Sequence, residues 1–133
     1  MSGIGIDGVR QIAVTVSDLD RAVHFYADVL GMDLRFRNEK LAFFDCGTTR
    51  LLLALKGQDD ADGIVLYFEV ADIFTAVDTL RDSGIAIEKE PACLARMAGR
   101  AMWVSFFRDS EGALAALIAE HADDGGTDTP DAA

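Results

Sequence analysis

Residues 10–31 read RQIAVTVSDLDRAVHFYADVLG. Gln11 to Val16 alternates: Ile12, Val14 and Val16 fall on one face of an extended chain, and Gln11, Ala13 and Thr15 on the other. Asp18 stands where a helix N-cap belongs, its carboxylate able to accept from the first backbone N–H groups. Leu19, Ala22, Val23, Tyr26 and Leu30 then recur at helical spacing, which predicts one buried stripe. Gly31 supplies the left-handed residue that ends such a helix. The stretch therefore predicts a strand, a capped turn and one amphipathic helix.

The same pattern returns further along the chain. After Gly31, strands are expected at Asp33–Arg37, Lys40–Asp45 and Arg50–Leu55, with turns at Asn38-Glu39 and Cys46–Thr49. The polar link KGQDDADG follows, and then a strand at Ile64–Val70, an N-cap at Asp72 and a helix at Ile73–Ser83 ended by Gly84. Strands at Ile85–Glu90, Met102–Phe107 and Ala113–Ala119 complete the second half. Val16, Asp18, Ala22 and Val23 reappear as Val70, Asp72, Ala76 and Val77, each displaced by 54 positions. Phe43-Phe44 is echoed by Phe106-Phe107. Such a period is the mark of a duplicated supersecondary unit, here βαβββ. The second copy carries an extra segment, PACLARMAGRA, at Pro91–Ala101.

The chain's 133 residues suffice for one domain with a single substantial core. No apolar run approaches the thickness of a bilayer, and the opening MSGIGIDG lacks the regions of a signal peptide. The expectation is a soluble, cytoplasmic protein without a membrane partner. Cys46 and Cys93 suit a reducing compartment better than a disulfide framework. The net charge of −11 comes largely from the C-terminal tail and from Asp59, Asp60 and Asp62. With no basic stripe, nucleic acid is not an expected partner, whereas a cationic ligand would be tolerated. The tail from Ala122 is poor in apolar residues and is expected to be disordered.

The tandem βαβββ units, together with VTVSDLDRAVHFYADVLGM, FFDCG and FFRDSEG, resemble the vicinal oxygen chelate superfamily of glyoxalase I, bleomycin-resistance proteins, fosfomycin-resistance enzymes and extradiol dioxygenases. The resemblance implies an α+β fold of two modules, at residues 8–55 and 64–120, whose curved mixed sheets each enclose a cup. A tail at 121–133 follows the single 8–120 domain. A homodimer with a ligand in each cup is also implied. Enzymes of the family place four metal ligands on strands lining one cup. Carried over by position, these places fall on Gln11, on or beside Leu53, on Val65 and on Ala116. Gln11 is an accepted donor, but the rest are hydrocarbons, and one amide oxygen does not hold a divalent cation. The expectation is no metal and no cofactor.

Strand parity then predicts the lining of the cup. Gln11, Thr15, Val65, Tyr67 and Glu69 face it, with Leu51, Leu53 and Leu55 from the fourth strand and Leu114, Ala116 and Ile118 from the last. A mostly apolar concavity with a few polar groups suits a small organic ligand. Glu69 and Tyr67 are candidates for general base and hydrogen-bond donor; the alternative places Glu69 at the strand end, solvated or paired with an arginine. Arg96 and Arg100 are candidates to hold a ligand carboxylate or phosphate, against a solvated loop or a dimer contact. Trp103 is a candidate stacking platform, against simple core packing. His24 and His121 are expected in solvent, and Cys93 as a passive thiol. A partial calcium-loop pattern over residues 58–69 reads as chance, because its first position is Gln58 and Glu69 belongs to a strand.

Three functions follow from this reading. The first is metal-independent binding of a small hydrophobic or cationic molecule, as in bleomycin-resistance proteins. The second is a metal-free isomerase or lyase using Glu69 and Tyr67. The third is a metal enzyme of glyoxalase or dioxygenase type.

Overall fold

The computed structural model describes residues 3–57, 63–97 and 99–122, with residue 97 described by its backbone alone. The polar stretch at 58–62 and the tail from residue 123, on which the calcium-loop and disorder expectations fall, lie outside the described residues. In order, the elements are β1 (Ile6–Val16), α1 (Leu19–His24), a π-helical turn (Phe25–Val29), β2 (Asp33–Arg37), β3 (Leu41–Cys46), β4 (Thr49–Leu55), β5 (Ile64–Val70), α2 (Ile73–Asp82), β6 (Ile87–Met97), β7 (Arg100–Arg108) and β8 (Leu114–Ala122). This is βαβββ twice, in an α+β fold. Two compact units result: Val9–Tyr67, and the chain up to Gly8 together with that from Phe68 on. Among the described residues no helix is long and apolar enough to cross a membrane.

In the unit Val9–Tyr67 the strands lie in the order β1-β4-β3-β2. β1 runs parallel to β4, from Gln11 beside Arg50 to Val16 beside Leu55. β4 pairs antiparallel with β3, and β3 with β2. Residues side by side in neighbouring strands share a face, so these registers sort every side chain. Val14, Val16, Leu51, Leu53, Ala42 and Phe44 lie on the face that packs against Leu19, Ala22, Val23 and Tyr26 of the helical segment. α1 begins as expected, with the Asp18 carboxylate accepting from the Arg21 N–H at 3.0 Å.

The first helix departs from expectation after His24. Leu30 N–H donates to the Phe25 carbonyl at 3.0 Å, closing a π turn, and Met32 N–H donates to that of Tyr26 at 2.9 Å. The extra residue in the turn advances the helix phase. Tyr26, Ala27 and Met32 therefore pack on the core, while Leu30, expected in the buried stripe, is 53% exposed. Gly31, at φ 77°, then reverses the chain into β2.

The other unit repeats the plan with a longer helix. Asp72 accepts from the N–H groups of Phe74 and Thr75 at 3.0 and 3.3 Å and from the Thr75 hydroxyl at 3.0 Å. These bonds hold its carboxyl below the usual carboxylate range, the Thr75 N–H contributing most. Ile73, Ala76 and Val77 pack on Val70, Ala101, Trp103, Leu117 and Ala119. The full strands of this unit run β8-β7-β6, and here too the registers correct the sequence reading. The segment expected as an insertion, Pro91–Ala101, continues β6 and opens β7, with Met97 paired to Arg100 across the hairpin. Register shifts flank Pro91, which has no N–H to give a ladder. Beside them the buried Ser105 hydroxyl donates to the Lys89 carbonyl at 2.7 Å. His121, expected in the tail, belongs to β8 and stacks on Phe74 with ring centroids 6.1 Å apart.

Candidate functional site

The candidate site is the face of the Val9–Tyr67 sheet that α1 does not cover. Its side chains form rows across the strands. The first row sets Gln11 beside Arg50 and Arg50 beside Asp45, continuing to Asp33 on the exposed outer strand. The second runs Ala13, Leu52, Phe43 and Phe36. The third holds Thr15, Ala54 and Leu41. An apolar middle is thus bordered on one side by polar and charged groups.

Gln11 and Tyr67 are the buried polar pair of this face, at 5% and 8% exposure. Their side chains are hydrogen-bonded to each other. Burial pushes the Tyr67 hydroxyl above the ordinary tyrosine range, and the Gln11 bond offsets only part of that rise. Tyr67 is therefore a neutral phenol at physiological pH, able to donate or accept. Thr15 lies along the same strand, and its backbone N–H donates to the Gly63 carbonyl at 3.1 Å. Half-buried Val65 shares the parity of Tyr67 on β5.

Beside the pair, Arg35, Phe36, Phe43, Asp45 and Arg50 line a depression of about 240 Å³. The Arg50 guanidinium lies 4.9 Å from the centroid of the Phe43 ring. Asp45, its cross-strand neighbour, is engaged instead by Arg35, with Nε and Oδ2 3.4 Å apart. Sequence reasoning missed this cluster, because Arg50 reads as the first residue of an apolar strand. The signal lay in the two-residue turn Gly47-Thr48, with Gly47 at φ 64°, which sets Cys46 opposite Thr49 and Asp45 opposite Arg50.

Several expected site residues are placed elsewhere, among them Leu51 and Leu55, which share the helix-side face of Leu53. Leu53 points to the helix side and is fully buried there. The link between Asp45 and Arg50 spans residues 46–49, whereas that between Arg108 and Leu114 spans 109–113. That one-residue difference inverts the parity carried from one copy to the other. Trp103 is also on the helix side, edge-on to Phe74 at 5.2 Å, as part of the core. Arg96 and Arg100 do not act together. Arg96 lies beside core residue Ala101, whereas Arg100 pairs with Glu120 on the other face, Nε to Oε1 3.5 Å. Ala116 lies fully buried on the helix-free side of β8, opposite Phe106. Glu69 is half-buried in the unit that begins at Phe68, on the side of β5 away from Phe68 and Val70, which pack with the α2 core.

A metal site of the family's kind does not fit these residues. The position beside Leu53 that shares the face of Gln11 is Leu52, so the places carried over within Val9–Tyr67 read Gln11, Leu52 and Val65, and Ala116 of the other unit is also a hydrocarbon. One amide oxygen among hydrocarbons lacks the anionic or imidazole donors a divalent cation requires. Among the described residues, no group of three or more His, Cys, Asp or Glu side chains is placed to hold a metal ion.

Comparison with known proteins agrees with this architecture. A probable lactoylglutathione lyase from Vibrio cholerae is 27% identical, over 77% of this chain and 83% of its own. Methylmalonyl-CoA epimerase from Mycobacterium tuberculosis superposes with a TM-score of 0.69 at 21% identity, covering 90% of this chain and 91% of that one. A hypothetical protein from Bacillus halodurans C-125 superposes with a TM-score of 0.72 at 17% identity, covering 89% and 97%. These two structural likenesses establish the fold. The profile of the Glyoxalase/Bleomycin resistance protein/Dioxygenase superfamily matches residues 8–117, and the chain belongs to that superfamily.

Proposed function

We propose that this protein binds a small, largely hydrophobic organic molecule on the helix-free face of Val9–Tyr67, without a catalytic metal. The observation that carries this reading is the buried Gln11–Tyr67 pair at the border of Ala13, Leu52 and Phe43. Two hydrogen-bonding groups beside apolar surface orient a ligand that burial holds in place. Metal independence rests on the donor set, in which only Gln11 offers an oxygen. As in the family at large, we infer a homodimer, which sedimentation of the purified protein checks.

Thermal-shift screening against small aromatic and aliphatic compounds tests the reading. A ligand present at about 100 times its Kd adds roughly 2.7 kcal/mol of stability, so binding reads as a clear rise in Tm. No stabilisation across a broad panel would contradict the proposal. Elemental analysis after reconstitution with divalent cations should find no stoichiometric metal; one metal per chain would overturn the metal-independent part.

A second reading, a metal-free isomerase or lyase, draws on Tyr67. A phenol held neutral by burial can donate a hydrogen bond to a substrate oxygen, and the names of two relatives, a lyase and an epimerase, point to such chemistry. Under that reading Tyr67→Phe and Glu69→Gln abolish turnover while the protein still folds. Unchanged rates would remove both residues from the mechanism.

A further inference from the structure

The depression beside Gln11 gives the proposed ligand a chemical class. We infer that it recognises a carboxylate, with the Arg50 guanidinium binding the anion and the Phe43 and Phe36 rings flanking an apolar body. The inference rests on the reading that this face binds a small organic molecule, and it deepens that reading.

Three observations carry it. Arg50 is half-buried, and among the described residues its guanidinium contacts the Phe43 ring with no carboxylate within ion-pair distance. In a chain of net charge −11, a cation left without a counterion needs a reason. The nearest candidate, Asp45, is directed to Arg35, so the depression holds two guanidiniums against one carboxylate. Asp33 ends the same row but does not line the depression. Arg50 is also the register neighbour of Gln11, so an anion held there lies next to the Gln11–Tyr67 pair. The volume of about 240 Å³ suits a small aromatic acid, since a cavity of roughly 150 Å³ already accepts benzene. A planar guanidinium with paired donors matches a carboxylate better than a tetrahedral anion. The overall acidity of the chain favours cations only at long range, and salt screens it; at this face the local charge governs.

The test is isothermal titration with benzoate and 3-phenylpropionate, set against benzamide, benzylamine and inorganic phosphate. The wild-type protein should bind the two carboxylates more tightly than the isosteric amide and reject the amine. Arg50→Gln should weaken the carboxylates about tenfold or more while leaving benzamide unchanged. Asp45→Asn, which removes the competing negative charge, should tighten them and serves as a folded variant of opposite sign. Carboxylate affinities unchanged by Arg50→Gln and Asp45→Asn would overturn the inference, as would tighter binding of benzylamine. Phosphate bound as tightly as benzoate would also overturn it, by showing a simple anion site. If benzamide binds while the carboxylates show no preference, this inference fails and the binding function stands. If no compound binds, both fail together.

Discussion

On its helix-free face, the unit Val9–Tyr67 sets Gln11, Arg50 and Asp45 in a row across three strands. The second copy of the motif sets Val104 beside Ile118 and Phe106 beside Ala116 on the corresponding face. The position matching Gln11 is Val65, and the strand that carries Arg50 near its start in the first copy opens with Leu114 in the second. The helix sides differ in the opposite sense. The first copy breaks its helix with a π turn, leaving Phe25, Val29 and Leu30 exposed, whereas the second runs α2 unbroken to Asp82 over Trp103. A duplicated scaffold can spend one copy on packing and free the other for chemistry, because each copy has its own core.

Substitutions at single sites sharpen that contrast, in order of expected effect. Trp103→Ala removes the largest side chain of the α2 core and should cost about 3–5 kcal/mol by chemical denaturation. A loss below about 1 kcal/mol would mean that Trp103 is not core and would reopen its role as a stacking platform. Leu53→Ala should cost about 2–5 kcal/mol, being fully buried on the helix side, and leave carboxylate affinity intact. Its neighbour Leu52→Ala should cost less stability and weaken binding. A reversal of that pattern would show that the parity assigned to β4 is wrong.

The polar pair predicts a coupled effect. Gln11→Leu leaves the buried Tyr67 hydroxyl without this partner and should cost about 1–3 kcal/mol. Adding Tyr67→Phe should recover part of that loss, a coupling of the order of 1 kcal/mol in a double-mutant cycle, and strict additivity would contradict a direct bond. The pH dependence has a defined sign. Because burial raises Tyr67 in the folded state, its contribution is fully present below the ordinary tyrosine pKa of about 10 and is lost as pH rises toward the folded value. Tyr67→Phe should flatten that alkaline loss.

The smallest expected effect is at the cap of α2. Asp72→Ala should cost about 1 kcal/mol at neutral pH. Hydrogen bonds depress the Asp72 carboxyl in the folded state, so its contribution is present above the ordinary pKa of about 3.9 and disappears as pH falls through the lower folded value. Wild type and variant should converge in strong acid; a gap that persists would mean the cap acts otherwise than as a carboxylate.

The repeat, both N-caps and the faces of β1 and β5 were legible because each depends on local pattern: alternation, an acidic residue before an apolar stripe, a glycine after it. What was not legible depends on single-residue phase. The π turn after His24 moved Leu30 out of the stripe without any break in hydrophobic spacing. The link between Asp45 and Arg50, one residue shorter than its counterpart, exchanged the faces of Leu52 and Leu53, and with them brought Arg50 onto the site. Pairing Met97 with Arg100 turned an apparent insertion into strand and separated Arg96 from Arg100. A strand's composition says that it is buried, but only its register says toward what.

Binding on this face is measured most directly by a 15N-labelled titration with 3-phenylpropionate, following side-chain as well as backbone resonances. The largest shifts should fall on the Gln11 amide and the Arg50 Nε–H, with further changes on the β4 and β3 backbones. Saturable shifts confined to residues from Phe68 onward would place the ligand in the other unit and contradict binding on the Val9–Tyr67 face.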